Sequence, residues 1–226
     1  MEALPILVIV IFIALVAVGV YLAARAARKR REALEQLAAR LGLSFLPDKD
    51  RELARRYAFL DKLAQGSNRY AFNVLRGRFE GHEVLAFDYH YETYSTDSKG
   101  RRQTHHHHFS FFMLFLPRAF PELTIVREGF FSKLAQALGY DDIDFESAEF
   151  SRTFCVRSKD KRVAYDICHP RFMEYLLANR DLTLEIDGEV LALAFSGRLA
   201  PDQIEFNLRR LVALRELFPA YLLNPT

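Results

Sequence analysis

From Ala3 to Ala24 the chain runs 22 residues without a charge, ALPILVIVIFIALVAVGVYLAA, and apolar side chains fall on every face of the helix such a run forms. At about 1.5 Å per residue the run measures about 33 Å, enough to cross a hydrocarbon layer of about 30 Å. The pattern predicts a transmembrane helix. A buried core helix seldom stays apolar all round for this length. A cleaved signal peptide calls for positive charge before the run, and Glu2 precedes it. Beyond the run the period changes. Leu34, Leu37, Ala38 and Leu41 recur at i, i+3, i+4, i+7, one face of a continuing helix, and Gly42 is its stop.

Further on, the period shortens to two. LSFLP at 43–47 reads as a short strand, DKDRELARRY at 48–57 as a charged helix, and Gly66-Ser67-Asn68 as a loop before the main sheet. In NVLRGRFEGHEVLAFDY the Glu80-Gly81 pair is a tight turn that sets Phe79 opposite His82 and Arg78 opposite Glu83. Val74 and Phe72 then share a face with Leu85, Phe87, Tyr89 and Tyr91. In LTLEIDGEVLALAF, Asp187-Gly188 suits a type I′ hairpin turn. Leu182, Leu184, Ile186, Leu191, Leu193 and Phe195 then form one apolar surface, with Thr183 and Glu185 on the other. Strands are expected at 105–116 and 122–127, and a third hairpin, TFCVR…RVAYDIC, turns near Lys159-Asp160-Lys161.

Three more amphipathic helices complete the pattern. One is FFSKLAQAL, stopped by Gly139. One starts at Pro170 and buries Phe172, Met173, Leu176 and Leu177. The last starts near Pro201 and buries Ile204, Leu208, Leu211, Leu214 and Phe218. One transmembrane helix followed by antiparallel hairpins interleaved with helices is an α+β class. The expected organisation is an anchor with a basic flank over residues 1–31, a helical linker region over 32–69, and an α+β domain over 70–226.

Charge sharpens this picture. Residues 1–31 carry five basic residues (Arg25, Arg28, Lys29, Arg30, Arg31) against Glu2, and the remainder carries 26 basic against 28 acidic. Cations beside a span stay on the cytoplasmic side, so the domain is expected in the cytoplasm, the N-terminus outside, and the membrane to be the inner one. The cluster suits contact with anionic headgroups. The near-neutral domain is a poor nucleic-acid binder. Two cysteines exclude a disulfide scaffold and a cysteine-based zinc module.

The candidate chemistry is sparse. His105–His108 would alternate on a strand, two side chains to each face. His106 and His108 can then meet His90 across the preceding hairpin, whose loop centres near Ser98–Gly100, and these three are the candidate metal ligands. A polar strand start leading into the buried run FSFFMLFLP explains the same residues without a metal. Asp88, opposite Asn73, is either a general acid or base or a structural carboxylate. The acidic run Asp141, Asp142, Asp144, Glu146 lacks the spacing of an EF-hand loop. Cys155 and Cys168 read as small buried residues, the alternative being a nucleophilic Cys168 beside His169. G-x-G-x-x-G, Walker A, G-x-S-x-G, H-E-x-x-H and C-x-x-C are all missing, so the sequence names no catalytic residue and no cofactor and leans away from an enzyme.

NVLRGRFEGHEVLAFDYHY, REGFFSKLAQALGYDDIDFESAEFSRTFCVRSKD and the segment through Phe218 resemble a family of uncharacterised bacterial membrane-anchored proteins with a domain of unknown function. The resemblance covers about residues 32–218 and is carried by FDY (87–89), GYDDIDFES (139–147) and EFSRTF (149–154). FCVRSKDKRVAYDICHPRFMEYL is similar to a wider group of such domains through Asp160, Ala164, Pro170, Phe172, Met173 and Leu176. The resemblance implies an anchored α+β protein and transfers no site; the histidine run departs from its pattern.

The sequence therefore leads to a single-pass membrane protein whose domain binds a protein partner, a second copy of itself or the membrane surface, with the lipid bilayer as one partner and nucleic acid as none. The alternatives are a membrane-tethered enzyme or metal-binding domain built on His90 and His105–His108, and a structural subunit of a membrane complex.

Overall fold

The computed structural model describes residues 3–127 and 142–224, with side chains from residue 8 onward. The first element, α1 (Ala3–Leu41), is one unbroken helix of 39 residues. Its large apolar side chains from Val8 to Leu22 are 50–66% exposed, so they join no core among the described residues and form a rod long and apolar enough to cross a bilayer. The same helix then enters the folded body, where Leu34, Leu37 and Ala38 are buried. It ends as the periodicity requires. Gly42 N–H reaches Ala39 O at 3.3 Å and Leu43 N–H reaches Ala38 O at 2.8 Å, a pairing that satisfies the last carbonyls.

The body is a six-stranded antiparallel sheet with helices on both faces, an α+β fold. Strand β1 (Ser44–Leu46) pairs with β2 (Ser67–Phe79), β2 with β3 (His82–Thr96), and β3 with the 26-residue β4 (Arg102–Arg127). Where β3 leaves β4 at Leu114, the vacated edge is taken further along by β5 (Phe154–Ser158), and β6 (Leu184–Ser196) lines the opposite edge of β4. The long β4 is therefore the axis of the sheet. One face packs on the second half of α1 and on α4 (Ala148–Thr153), α5 (Lys161–Ile167), α6 (Pro170–Ala178), α7 (Pro201–Glu216) and α8 (Ala220–Leu223). The other face carries Val74, Leu85, Phe87, Tyr89, Phe111 and Met113 under the short α2 (Arg51–Arg56) and α3 (Asp61–Ala64). Leu34, Leu37 and Leu43, which lie in the 32–69 region, belong to the first of these cores.

The structure corrects three readings of the pattern. Asp187-Gly188 makes no turn: β6 runs straight through it, pairing with β4 from Ser110↔Phe195 to Ile125↔Leu184. Gly188 does adopt the left-handed backbone an Asp-Gly pair invites (φ +55), but inside the strand, opposite a stretch where β4 takes more residues than β6. The alternation of faces changes along β6 there, so Leu184, Ile186, Leu191 and Leu193 still share one core. The expected third hairpin is a strand followed by a helix, because the Asp160 side chain caps α5 through Arg162 N and Val163 N. Finally, a bulge at Asn73 (φ +52) moves Phe72 opposite Asp88, out of the face shared by Val74 and Leu85. The strands expected at 105–116 and 122–127 are parts of the single β4, and the FFSKLAQAL helix lies outside the described residues.

Candidate functional site

On the α1 side of the sheet, β3 presents Val84, Ala86, Asp88, His90 and Glu92, and β4 presents Leu114, Phe112, Ser110, His108 and His106, pair by pair. The face is apolar at one end and turns polar at Asp88 and Ser110.

Asp88 is 3% exposed and is engaged by three donors. Arg30 Nη2 of α1 donates to Oδ1 at 3.0 Å, Ser110 Oγ to Oδ1 at 3.2 Å, and Asn73 Nδ2 to Oδ2 at 2.8 Å. Arg30 also donates to Leu199 O at 2.8 Å, and Ser110 Oγ accepts from Leu199 N–H at 2.9 Å. Burial pushes the Asp88 carboxyl up from its ordinary range, against the pull of Asn73, Arg30 and Ser110. With its oxygens occupied in this way, Asp88 joins α1 to the sheet. Arg30, expected at the headgroups with the rest of the basic flank, is turned inward; its side chain is 18% exposed.

Beyond Glu92, where β2 stops pairing with β3, the two strands continue as a ribbon closed by the Asp97–Arg101 turn. The four consecutive histidines divide as alternation demands. His105 and His107 take one face, where Ser95 Oγ and Thr93 Oγ1 lie 2.7 Å from their Nε2 atoms and Tyr91 stacks on His107. His106 and His108 take the other face with His90. His90 Nε2 lies 3.1 Å from His106 Nδ1, and the His108 ring is centred 4.9 Å from the His90 ring. Glu92, which no sequence motif marks, lies opposite His106, its Oε1 at 3.4 Å from His106 Nδ1. One ligand atom each of His90, Glu92 and His106 fall within 4.8 Å of one another, a set able to hold a metal ion; His108 stands beside it. The signal for Glu92 was its i, i+2 spacing from His90 in the register that pairs His90 with His108.

A bulge at the start of β2 organises these groups. Asn68, at φ +48, offers its carbonyl to His90 Nδ1 (3.2 Å) and its side-chain amide to Glu92 Oε1 (2.6 Å). Tyr94 Oη donates to Glu92 Oε2 at 3.1 Å. Burial lowers the pKa of His90 and His108.

The other candidates are quiet. Cys155 is buried and donates to Asp142 Oδ1 at 2.6 Å; burial and that carboxylate push its thiol up to about 12. Cys168 is buried among apolar groups, which raises its pKa, and His169 Nε2 donates instead to Leu217 O at 2.8 Å. Neither thiol is an activated nucleophile. Asp142 also accepts from Arg157 at 2.7 Å, while Asp141 lies outside the described residues. Glu185, missed by the sequence as a special residue, is 5% exposed and accepts from Asp61 N–H at 2.5 Å, capping α3 from a neighbouring strand; burial raises its pKa to about 8.

No family model matches this chain, and no curated protein matches it. Among solved structures it is similar to the crystal structure of the mycobacterial trehalose monomycolate transport factor A, TtfA, with 13% sequence identity and a TM-score of 0.62. The match covers 86% of this chain and 97% of that one; at this identity it shows that the two share a fold.

Proposed function

We propose that this chain is a single-pass protein of the inner membrane, N-terminus outside and domain in the cytoplasm, whose domain docks a protein partner within a membrane-bound transport assembly. The observation that carries the reading is the continuity of α1. The apolar rod and the helix packed in the core are one element, pinned by Arg30 to Asp88. From Ala24 to Arg30 the helix rises only about 9 Å. The domain is thus held against the bilayer and works on something in or beside it. Arg25, Lys29 and Arg31, with Arg28 paired to Glu32 at 2.9 Å, form the exposed basic flank that suits anionic headgroups and supports the cytoplasmic orientation. The fold shared with the mycobacterial trehalose monomycolate transport factor A supports a transport assembly. The resemblance to bacterial membrane-anchored proteins with a domain of unknown function is part of the same proposal.

Reporters fused after Thr226 test the orientation: a fluorescent reporter lights and a phosphatase stays inactive if the domain is cytoplasmic, and the reverse overturns it. Crosslinking in native membranes, followed by detergent capture of the full chain, tests the partner. A partner of the domain is retained when residues 3–24 are replaced by an unrelated apolar span; loss on that exchange transfers recognition to the membrane helix. The second reading, a membrane-tethered enzyme or metal-binding domain, is favoured by the geometry of His90, Glu92 and His106.

A further inference from the structure

We propose that His90, Glu92 and His106 bind one divalent transition ion of the zinc class, with water completing the coordination. The donor set is two imidazole nitrogens and one carboxylate oxygen, the set of open three-ligand zinc sites. For metal–ligand bonds of about 2.0–2.1 Å, a tetrahedron has edges of about 3.3 Å. Two of the three edges are close to that length: 3.1 Å from His90 Nε2 to His106 Nδ1, and 3.4 Å from His106 Nδ1 to Glu92 Oε1.

The surrounding contacts prepare the ligands in the way metal sites require. A carbonyl oxygen only accepts, so Asn68 O holds the proton of His90 on Nδ1 and leaves Nε2 with its lone pair facing His106. The same Asn68 fixes Glu92 Oε1 through its amide, while its own Oδ1 accepts from Arg51 Nη2 at 2.9 Å. Tyr94 fixes the other carboxylate oxygen. Two strands, a bulge and a helix residue thus converge on three donor atoms. His106, 59% exposed, leaves the outer side open to solvent. The ion would clip β3 to β4 where the ribbon leaves the body. Arg30 of α1 meets Asp88, and Leu43, two residues past the end of α1, lies against Gly77. His105 and His107 point to the opposite face and supply a built-in control.

The test uses the full chain in detergent, purified without a histidine tag, and titrated with zinc chloride in competition with a chromophoric chelator and separately with cobalt chloride. The expected result is one ion per chain and visible cobalt bands of tetrahedral intensity. His106→Ala and Glu92→Gln each weaken binding at least about 10-fold. Asn68→Gly, which keeps the backbone but removes the amide from Glu92, weakens it about 10-fold. The His105→Ala/His107→Ala double variant leaves affinity unchanged. His106 is exposed enough for its alanine variant to keep the fold. Substoichiometric uptake, affinity unchanged by His106→Ala, or an equal loss in the His105/His107 variant would each overturn the proposal.

Discussion

Arg30 of α1 and Asp88 of β3 meet at 3.0 Å in a setting where Asp88 is 3% exposed. The pair marks where the anchor stops being a tether and becomes part of the domain. Removing one partner leaves the other charge buried. Arg30→Ala should therefore destabilise the chain by about 3 kcal/mol. The double replacement Arg30→Met/Asp88→Asn should cost less than the two single changes together. Urea unfolding of the four proteins in detergent measures the coupling; additive losses would mean the pair carries none.

Glu185 gives the fold a pH dependence of definite sign. Its native pKa is near 8 against an ordinary value of 4.5, so between those limits the folded state holds a proton that the unfolded chain releases. Its contribution is present in full below about pH 4.5 and is lost as pH rises through about 8. The Glu185→Gln variant keeps an acceptor for Asp61 N–H and cannot ionise. Its melting temperature should gain on that of the parent steadily from pH 5 to pH 8.5. A constant difference across this range would contradict the assignment.

Gly66 stands where β2 begins, at φ +62, and a Cβ there would overlap the carbonyl oxygen of Glu92 and the ring edge of Tyr91. Gly100, at φ +76 in the ribbon turn, faces open space. Both alanine variants pay for a left-handed backbone, about 1–2 kcal/mol. Only Gly66→Ala must also displace Glu92, so it should melt distinctly lower than Gly100→Ala. Equal melting temperatures would show that the strand start yields without cost.

What could be read from the sequence was what local chemistry decides. An uncharged 22-residue run makes a bilayer-length helix whatever follows it. The i, i+3, i+4 recurrence of Leu34, Leu37 and Ala38 fixed the face that packs, and Pro170 and Pro201 marked helix starts that the structure keeps. Period-two alternation with the Glu80-Gly81 turn set the β2/β3 register near that turn, and the loop near Ser98–Gly100 brought His90 toward His106 and His108. Tertiary structure decided whatever depended on a distant partner. Asp187-Gly188 allows a left-handed backbone in a turn or within a strand, and pairing along the edge of β4 selected the strand. Asp160 suits a turn or a helix cap, and the cover its helix gives the sheet, with Ala164 and Ile167 buried, selected the cap. Arg30 belongs to a basic flank by sequence, yet a buried carboxylate 58 residues away takes it from the lipid surface. Asn68 carries no local sign of its role, because its carbonyl and amide acquire meaning only when β2 is laid beside β3. Short-range sterics and hydrophobic period are properties of a segment. Pairing, burial of charge and the convergence of ligands are properties of segments brought together.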